Sequence, residues 1–182
     1  MLKKLRQTEA KPASTPADSN IKPRKNDGVS RPADPIQYQS LVGSLLYVAS
    51  ATLLDIVSAV GVALRFWPNP IQAHLTAAKH ILRYLKGTAY LGLKYEKSKD
   101  GGLTVYSDAD WAGDLDDRHS TSGYIFSLAG AAVSWLSKKQ SIIALSTAEA
   151  EYVVLSLATQ EALWLRRLLK DIVMPPKGPT IS

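Results

Sequence analysis

The 182-residue chain predicts an α+β fold, in which a helical segment comes first and antiparallel strands packed on one long helix follow. Three observations carry this. Between positions 36 and 88, apolar residues recur every three or four positions, the period of a helix with one buried face. Between positions 90 and 136, short runs rich in β-branched and aromatic residues are separated by glycine-containing turns. From position 147 to 172 the helical period returns, and neither proline nor glycine interrupts it.

The first 35 residues stand apart. They hold five of the ten prolines and eight cationic residues against four acidic ones, so most of the net charge of +6 lies here. Interleaved Pro, Ser, Asn, Asp and Lys cannot bury enough apolar area to order a chain, so residues 1–35 are expected to form a disordered basic arm. Such an arm suits anionic partners, nucleic acid among them, and it equally suits plain solvation.

Within residues 36–88, Leu41, Leu45, Tyr47 and Val48 mark one helix. Leu53, Ile56, Val57, Val60 and Leu64 mark a second, which Pro68-Asn69-Pro70 stops. A third, over 71–86, has Leu75, Ala78, Ile81, Leu82 and Leu85 on one face, with Gln72, Lys79, Arg83 and Lys86 opposite and Gly87 as its C-cap. His74, Lys79, His80, Arg83 and Lys86 fit phosphate contacts or a solvated cationic face equally well. The stretch 41–66 is long enough to span a bilayer, but Asp55 and the three serines Ser44, Ser50 and Ser58, with Ser40 just before it, argue against it, and no membrane role is expected. The N-terminal charges lead into polar sequence rather than an apolar signal core, so secretion is not expected.

Strands are expected over 90–95, 103–106, 122–128 and 132–136, three of them forming the core of an antiparallel sheet, with a polar turn over 97–102. The last helix is expected over 147–172. Zero cysteines exclude disulfides, thiolate metal sites and a cysteine nucleophile; any metal must be held by oxygen or by the three histidines.

Two acids are candidates for chemistry. Asp108 stands where the strand 103–106 ends and the chain leaves the sheet. Glu151 heads the stripe Val154, Leu155, Ala158, Ala162, Leu165 and Leu169, and a carboxylate on an apolar face is costly unless paired or bound. Glu149, three places after Ser146, is assigned instead to a capping box. Asp110 and the run Asp114, Asp116, Asp117 read as loop solubility, with Arg118 as a partner. Trp135 and Trp164 are expected in the core.

The words of this region, in order, are Tyr106-Ser107-Asp108-Ala109-Asp110-Trp111-Ala112-Gly113-Asp114, Ser120-Thr121-Ser122-Gly123-Tyr124, Trp135-Leu136-Ser137-Lys138-Lys139-Gln140, Ser146-Thr147-Ala148-Glu149-Ala150-Glu151-Tyr152 and Glu161-Ala162-Leu163-Trp164-Leu165-Arg166-Arg167-Leu168-Leu169. They resemble the ribonuclease H region of copia-type retrotransposon Pol polyproteins. Upstream, residues 38–47 and 77–88 resemble the segment that joins reverse transcriptase to that nuclease. Leu53-Leu54-Asp55 departs from the family, which reads Arg-Pro-Asp there.

The resemblance implies a reverse transcriptase connection segment over 36–88, the N-terminal part of a ribonuclease H-like fold over 89–175 and a tail over 176–182. It implies that Asp108 and Glu151 are the first two of four acids that hold magnesium or manganese, and that the RNA strand of an RNA–DNA hybrid is the substrate. The other two acids would belong to elements beyond this sequence, so little or no cleavage is expected of the chain alone. Lys138 and Lys139 would touch the hybrid backbone, or simply end a basic strand. The remainder of Pol is an implied partner. An intracellular place is implied, in a cytoplasmic virus-like particle or the nucleus. The alternative is a non-catalytic remnant that at most binds nucleic acid.

Overall fold

Asp34 and Pro35 set where the first helix begins. The Asp34 carboxylate accepts the Ile36 N–H at 2.9 Å, and Pro35 occupies a first-turn position where a missing N–H costs nothing. The structure is a computed structural model, and it describes residues 10–18, 23–97 and 102–172. The chain divides into two units, Met1–Gly92 and Leu93–Ser182.

In the first unit, α1 (Pro35–Ala51), a single 3-10 turn (Leu54–Ile56), α2 (Val57–Leu64) and α3 (Gln72–Gly87) share one core. Tyr38, Leu41, Val42 and Leu45 of α1 meet Ile56, Val60, Leu75, Ala78, Ile81 and Leu82 there, all nearly inaccessible to solvent. The break at 52–56 divides the candidate span 41–66, and no described helix is long and apolar enough to cross a membrane. Tyr38 carries its polar end inward and satisfies it by donating to the Ala63 carbonyl at 2.7 Å; burial pushes its phenol above the usual range. Leu54, in the word that departs from the family, opens the 3-10 turn, and the Asp55 carboxylate that follows accepts the Tyr84 hydroxyl at 2.7 Å.

The described part of the basic arm lies along α3. Ala13 N–H donates to the Arg83 carbonyl, and Arg83, Lys86 and His80 meet the carbonyls of Lys11, Ala10 and Thr15 at 2.7, 3.0 and 3.0 Å. Nearer the start of α3, Gln72 N–H donates to Arg31 and Ala33 N–H to Pro70, each at 2.9 Å. Composition assigns this stretch no apolar area with which to order. Its backbone carbonyls supply the contacts instead, so the cations on α3 hold arm oxygens.

His74 is buried, stacked on Phe66 and fixed at both ring nitrogens. Nδ1 takes the Ile71 N–H at 3.2 Å, and Nε2 lies 2.8 Å from the Arg24 carbonyl. A carbonyl only accepts and a backbone N–H only donates, so the proton sits on Nε2.

In the second unit, β1 (Thr104–Asp110), β2 (Thr121–Leu128) and β3 (Ala131–Lys139) form an antiparallel sheet in that order, and α4 (Thr147–Asp171) packs on β1 and β2. The mixed α+β class expected from the sequence is the one observed. Leu103, Val105, Tyr124, Phe126 and Leu128 face Ala158, Ala162 and Leu165 across a small core. Alternation places Tyr106, Asp108 and Asp110 on the other face of β1, where all three are exposed.

Several expectations are corrected here. Residues 90–95 form no strand; Tyr90, Leu91 and Tyr95 are exposed, and hydrogen bonds reach the sheet from the end of this segment through the Tyr95 hydroxyl to Ala132 O and, just after it, Glu96 N–H to Ala129 O. Strand β1 runs on to Asp110, so Asp108 lies inside it opposite Gly123 rather than past its end. Leu155 and Trp164 are exposed because the buried stripe of α4 is carried by Ala150, Val154, Ala158, Leu165 and Leu169. Gly87 closes α3 as its last residue, and Thr88 is the C-cap. The middle of the 97–102 turn, Pro175-Pro176 and the tail 176–182 lie outside the described residues.

Candidate functional site

Ser146 sets the phase of α4. Its hydroxyl accepts the Glu149 N–H at 3.2 Å, while the Glu149 carboxylate takes the Leu145 N–H at 2.7 Å. Glu149 is therefore consumed by the helix start, as the spacing predicts, although it reaches one residue further back than the capping-box pattern.

Two residues later the geometry changes. Glu151 is half-buried, and its Oε1 accepts the Ala109 N–H of β1 at 3.3 Å. As an outer strand, β1 leaves every second N–H without a ladder partner, and Glu151 takes one of them. The fold thus brings a carboxylate from the first turn of α4 to the residue next to Asp108. The Asp108 side chain stands on the exposed face of β1, so the Glu151 contact falls on the backbone of the next residue and not on the Asp108 carboxylate.

Lys139 is engaged inside the protein. Its ammonium lies 2.7 Å from Asp114 and 2.5 Å from Asp117, tying the loop after β1 to the end of β3. Asp114 is only 5% exposed, so it is a buried partner rather than the solubility acid that its acidic neighbours suggest. Burial alone would raise the Asp117 carboxyl, but hydrogen bonds from Lys139 and His119 outweigh it and hold Asp117 well below the usual carboxylate range. For Lys139, burial would lower the ammonium, and the two carboxylates win and raise it. Lys138 is exposed at the strand end.

Asp110 turns back on its own loop: a Cβ at Gly113 would come within 1.8 Å of its Oδ2, so a larger residue there would displace the Asp110 side chain. Ala112 adopts φ 51° at this bend, and its N–H donates to the buried Ser120 hydroxyl at 3.1 Å. Trp111 is part-exposed, with its indole N–H on the Ala144 carbonyl at 3.1 Å. Sequence reasoning groups Gln140 with Lys138 and Lys139 as a contact for the hybrid backbone and gives no role to Ser120 or Ser122; all three of Gln140, Ser120 and Ser122 are buried here. The signal available was a polar residue at an inward register position, and it is legible only once the register is known.

An oxygen-only donor pair suits magnesium or manganese. Among the described residues, however, no group of three or more His, Asp or Glu side chains gathers to hold an ion. Asp108 and Glu151 do not by themselves make a metal site, and no reaction step is assigned to one here.

No family model and no solved structure matches the chain. Curated proteins do. A Secreted RxLR effector protein 161 of Plasmopara viticola is 49% identical over 130 residues, covering 71% of this chain and 92% of the effector. The Retrovirus-related Pol polyprotein from transposon TNT 1-94 of Nicotiana tabacum is 41% identical over 97% of this chain. That from transposon RE1 of Arabidopsis thaliana is 41% identical over 94% of it. The chain spans 14% and 12% of the length of these two polyproteins. It belongs to the retrovirus-related Pol polyproteins of copia-type transposons, as a Pol-derived segment.

Proposed function

We propose that this Pol segment is the region where the end of reverse transcriptase joins ribonuclease H, and that Asp108 and Glu151 are two of the acids of that nuclease. The observation that supports it is the hydrogen bond from Ala109 N–H to Glu151, which brings a carboxylate far away in sequence to the backbone of the residue that follows Asp108 on β1. Glu149, equally acidic and nearer the helix start, is excluded by its own contact with Leu145.

On this reading the substrate is the RNA strand of an RNA–DNA hybrid. Magnesium or manganese belongs to the complete four-acid site, and the remaining acids come from the rest of Pol, within a virus-like particle or the nucleus. The chain alone supplies two of those four acids and does not cleave. The test joins the 182 residues to a ribonuclease H segment carrying the remaining acids and assays hybrid cleavage with magnesium. Activity in the joined protein, and none in the chain alone, is the expected result; cleavage unaffected by Asp108→Asn would overturn it.

A second reading is favoured by one observation: the effector that the chain covers to 92% of its length is itself a short protein. A segment of this kind can stand alone as a non-catalytic protein that at most binds nucleic acid, with Lys138 as an exposed contact. Binding that persists while the joined protein stays inactive would support this reading over the first.

A further inference from the structure

We infer that Gln140 is a positioning residue that holds the Glu151 carboxylate against β1; this rests on reading Asp108 and Glu151 as a paired site. Gln140 follows β3 and is only 5% exposed. Its backbone N–H donates to Ser120 O at 2.8 Å. Its side-chain nitrogen donates twice, to Ser122 Oγ of β2 at 2.9 Å and to the Ala150 carbonyl in the first turn of α4 at 3.0 Å. A carbonyl accepts only, so the amide nitrogen, not its oxygen, must face Ala150.

The two acceptors are not arbitrary. Ser122 stands opposite Ala109 in the β1–β2 register, and Ala150 immediately precedes Glu151, the acceptor of the Ala109 N–H. The contacts close a ring. Strand β1 reaches β2 through the ladder, β2 reaches α4 through Gln140, and α4 returns to β1 through Glu151.

This ring needs a side chain with two donors on one atom and the length to span the corner. Asn is a methylene shorter, an ionised Glu has no donor, and Leu has neither donor nor acceptor. Removing the donors leaves the Ala150 carbonyl with only its helical bond and the buried Ser122 hydroxyl without this partner, which frees the first turn of α4 to shift from β1.

Amide hydrogen exchange on the full chain tests this. In Gln140→Leu, which keeps the volume, exchange of the Ala109 N–H should rise about tenfold while Leu165, deeper in α4, stays unchanged. An unmoved Ala109, or a uniform rise across the second unit, overturns the inference. In Gln140→Glu, burial keeps the introduced carboxyl protonated to a higher pH than usual, and the protonated acid can donate to Ala150. Protection at Ala109 should therefore return as pH falls from about 8 to about 5. A space-filling role predicts no such return, and its absence overturns the proposal. Should the leucine variant fail to fold, Ser122→Ala removes one acceptor and should raise Ala109 exchange selectively; no change would count against the ring. Manganese broadening of the Ala109 and Glu151 signals in the joined protein tests the site separately. A ring confirmed without any broadening sinks the site reading and leaves the geometry intact.

Discussion

Glu149 and Glu151 stand two residues apart at the head of α4 and do different work. Glu149 closes the turn before its own helix, whereas Glu151 crosses to a strand. Glu149→Ala should therefore cost about 1 kcal/mol of stability, the size of a lost cap contact, in urea denaturation followed by circular dichroism. Glu151→Gln keeps an oxygen to accept the Ala109 N–H and should leave the same transition in place; equal losses at both positions would contradict the division of roles. Lys139 supplies a pH prediction. Asp117 is held below its usual range, so its contribution is present above about pH 4, the ordinary carboxylate value, and is lost as pH falls toward the lower folded value. Lys139 is shifted up, so its contribution is present below the ordinary ammonium range and fails only at strongly alkaline pH. Signals of residues 111–120 should hold their dispersion across the neutral range and lose it on the acid side before the helical signal of α4; loss beginning near neutrality would contradict this.

At the scale of elements, the hairpin between β2 and β3 carries a visible cost. Leu128 pairs with Ala131 across the two-residue loop Ala129-Gly130, and both loop residues have positive φ, 54° and 81°. That is the type I′ requirement, which glycine meets freely and alanine does not. Ala129→Asn should raise stability by about 0.5–1 kcal/mol, read as a higher midpoint in the same denaturation; a lower midpoint would show that the loop is not strained. The helices were the most legible part of the sequence. Proline breaks and the 3.6 period place α1, α3 and α4 within a few residues, because burial of one face is what the period encodes. The strand expected over 90–95 failed because an apolar, aromatic run is only a strand if another strand pairs with it, and none of the described residues does so along its length. Asp108 was found in sequence, but its place within β1 was not, since the pairing with Gly123 is a long-range fact. Lys139 looked like a free cation for the same reason: its two acids lie more than twenty residues away. Gln140 is visible in sequence only as the end of the word Trp135-Leu136-Ser137-Lys138-Lys139-Gln140, because its contacts depend on three elements meeting.

At the scale of the molecule, the chain is a Pol segment in two units, one helical and one a sheet backed by α4. The helical unit binds its own basic arm through backbone carbonyls, which occupies cations that charge alone would offer to phosphate. The second unit brings Glu151 to the strand that carries Asp108 and engages Lys139, a candidate contact for the hybrid backbone, in an internal ion pair. The central claim is that Asp108 and Glu151 are half of a nuclease site. Its most direct test is magnesium-dependent cleavage of an RNA–DNA hybrid by the joined protein, compared among Asp108→Asn, Glu151→Gln and Glu149→Gln. The first two should each lower the rate by about a hundredfold or more and the third by little. Equal losses at Glu149 and Glu151, or full activity without either Asp108 or Glu151, would contradict it.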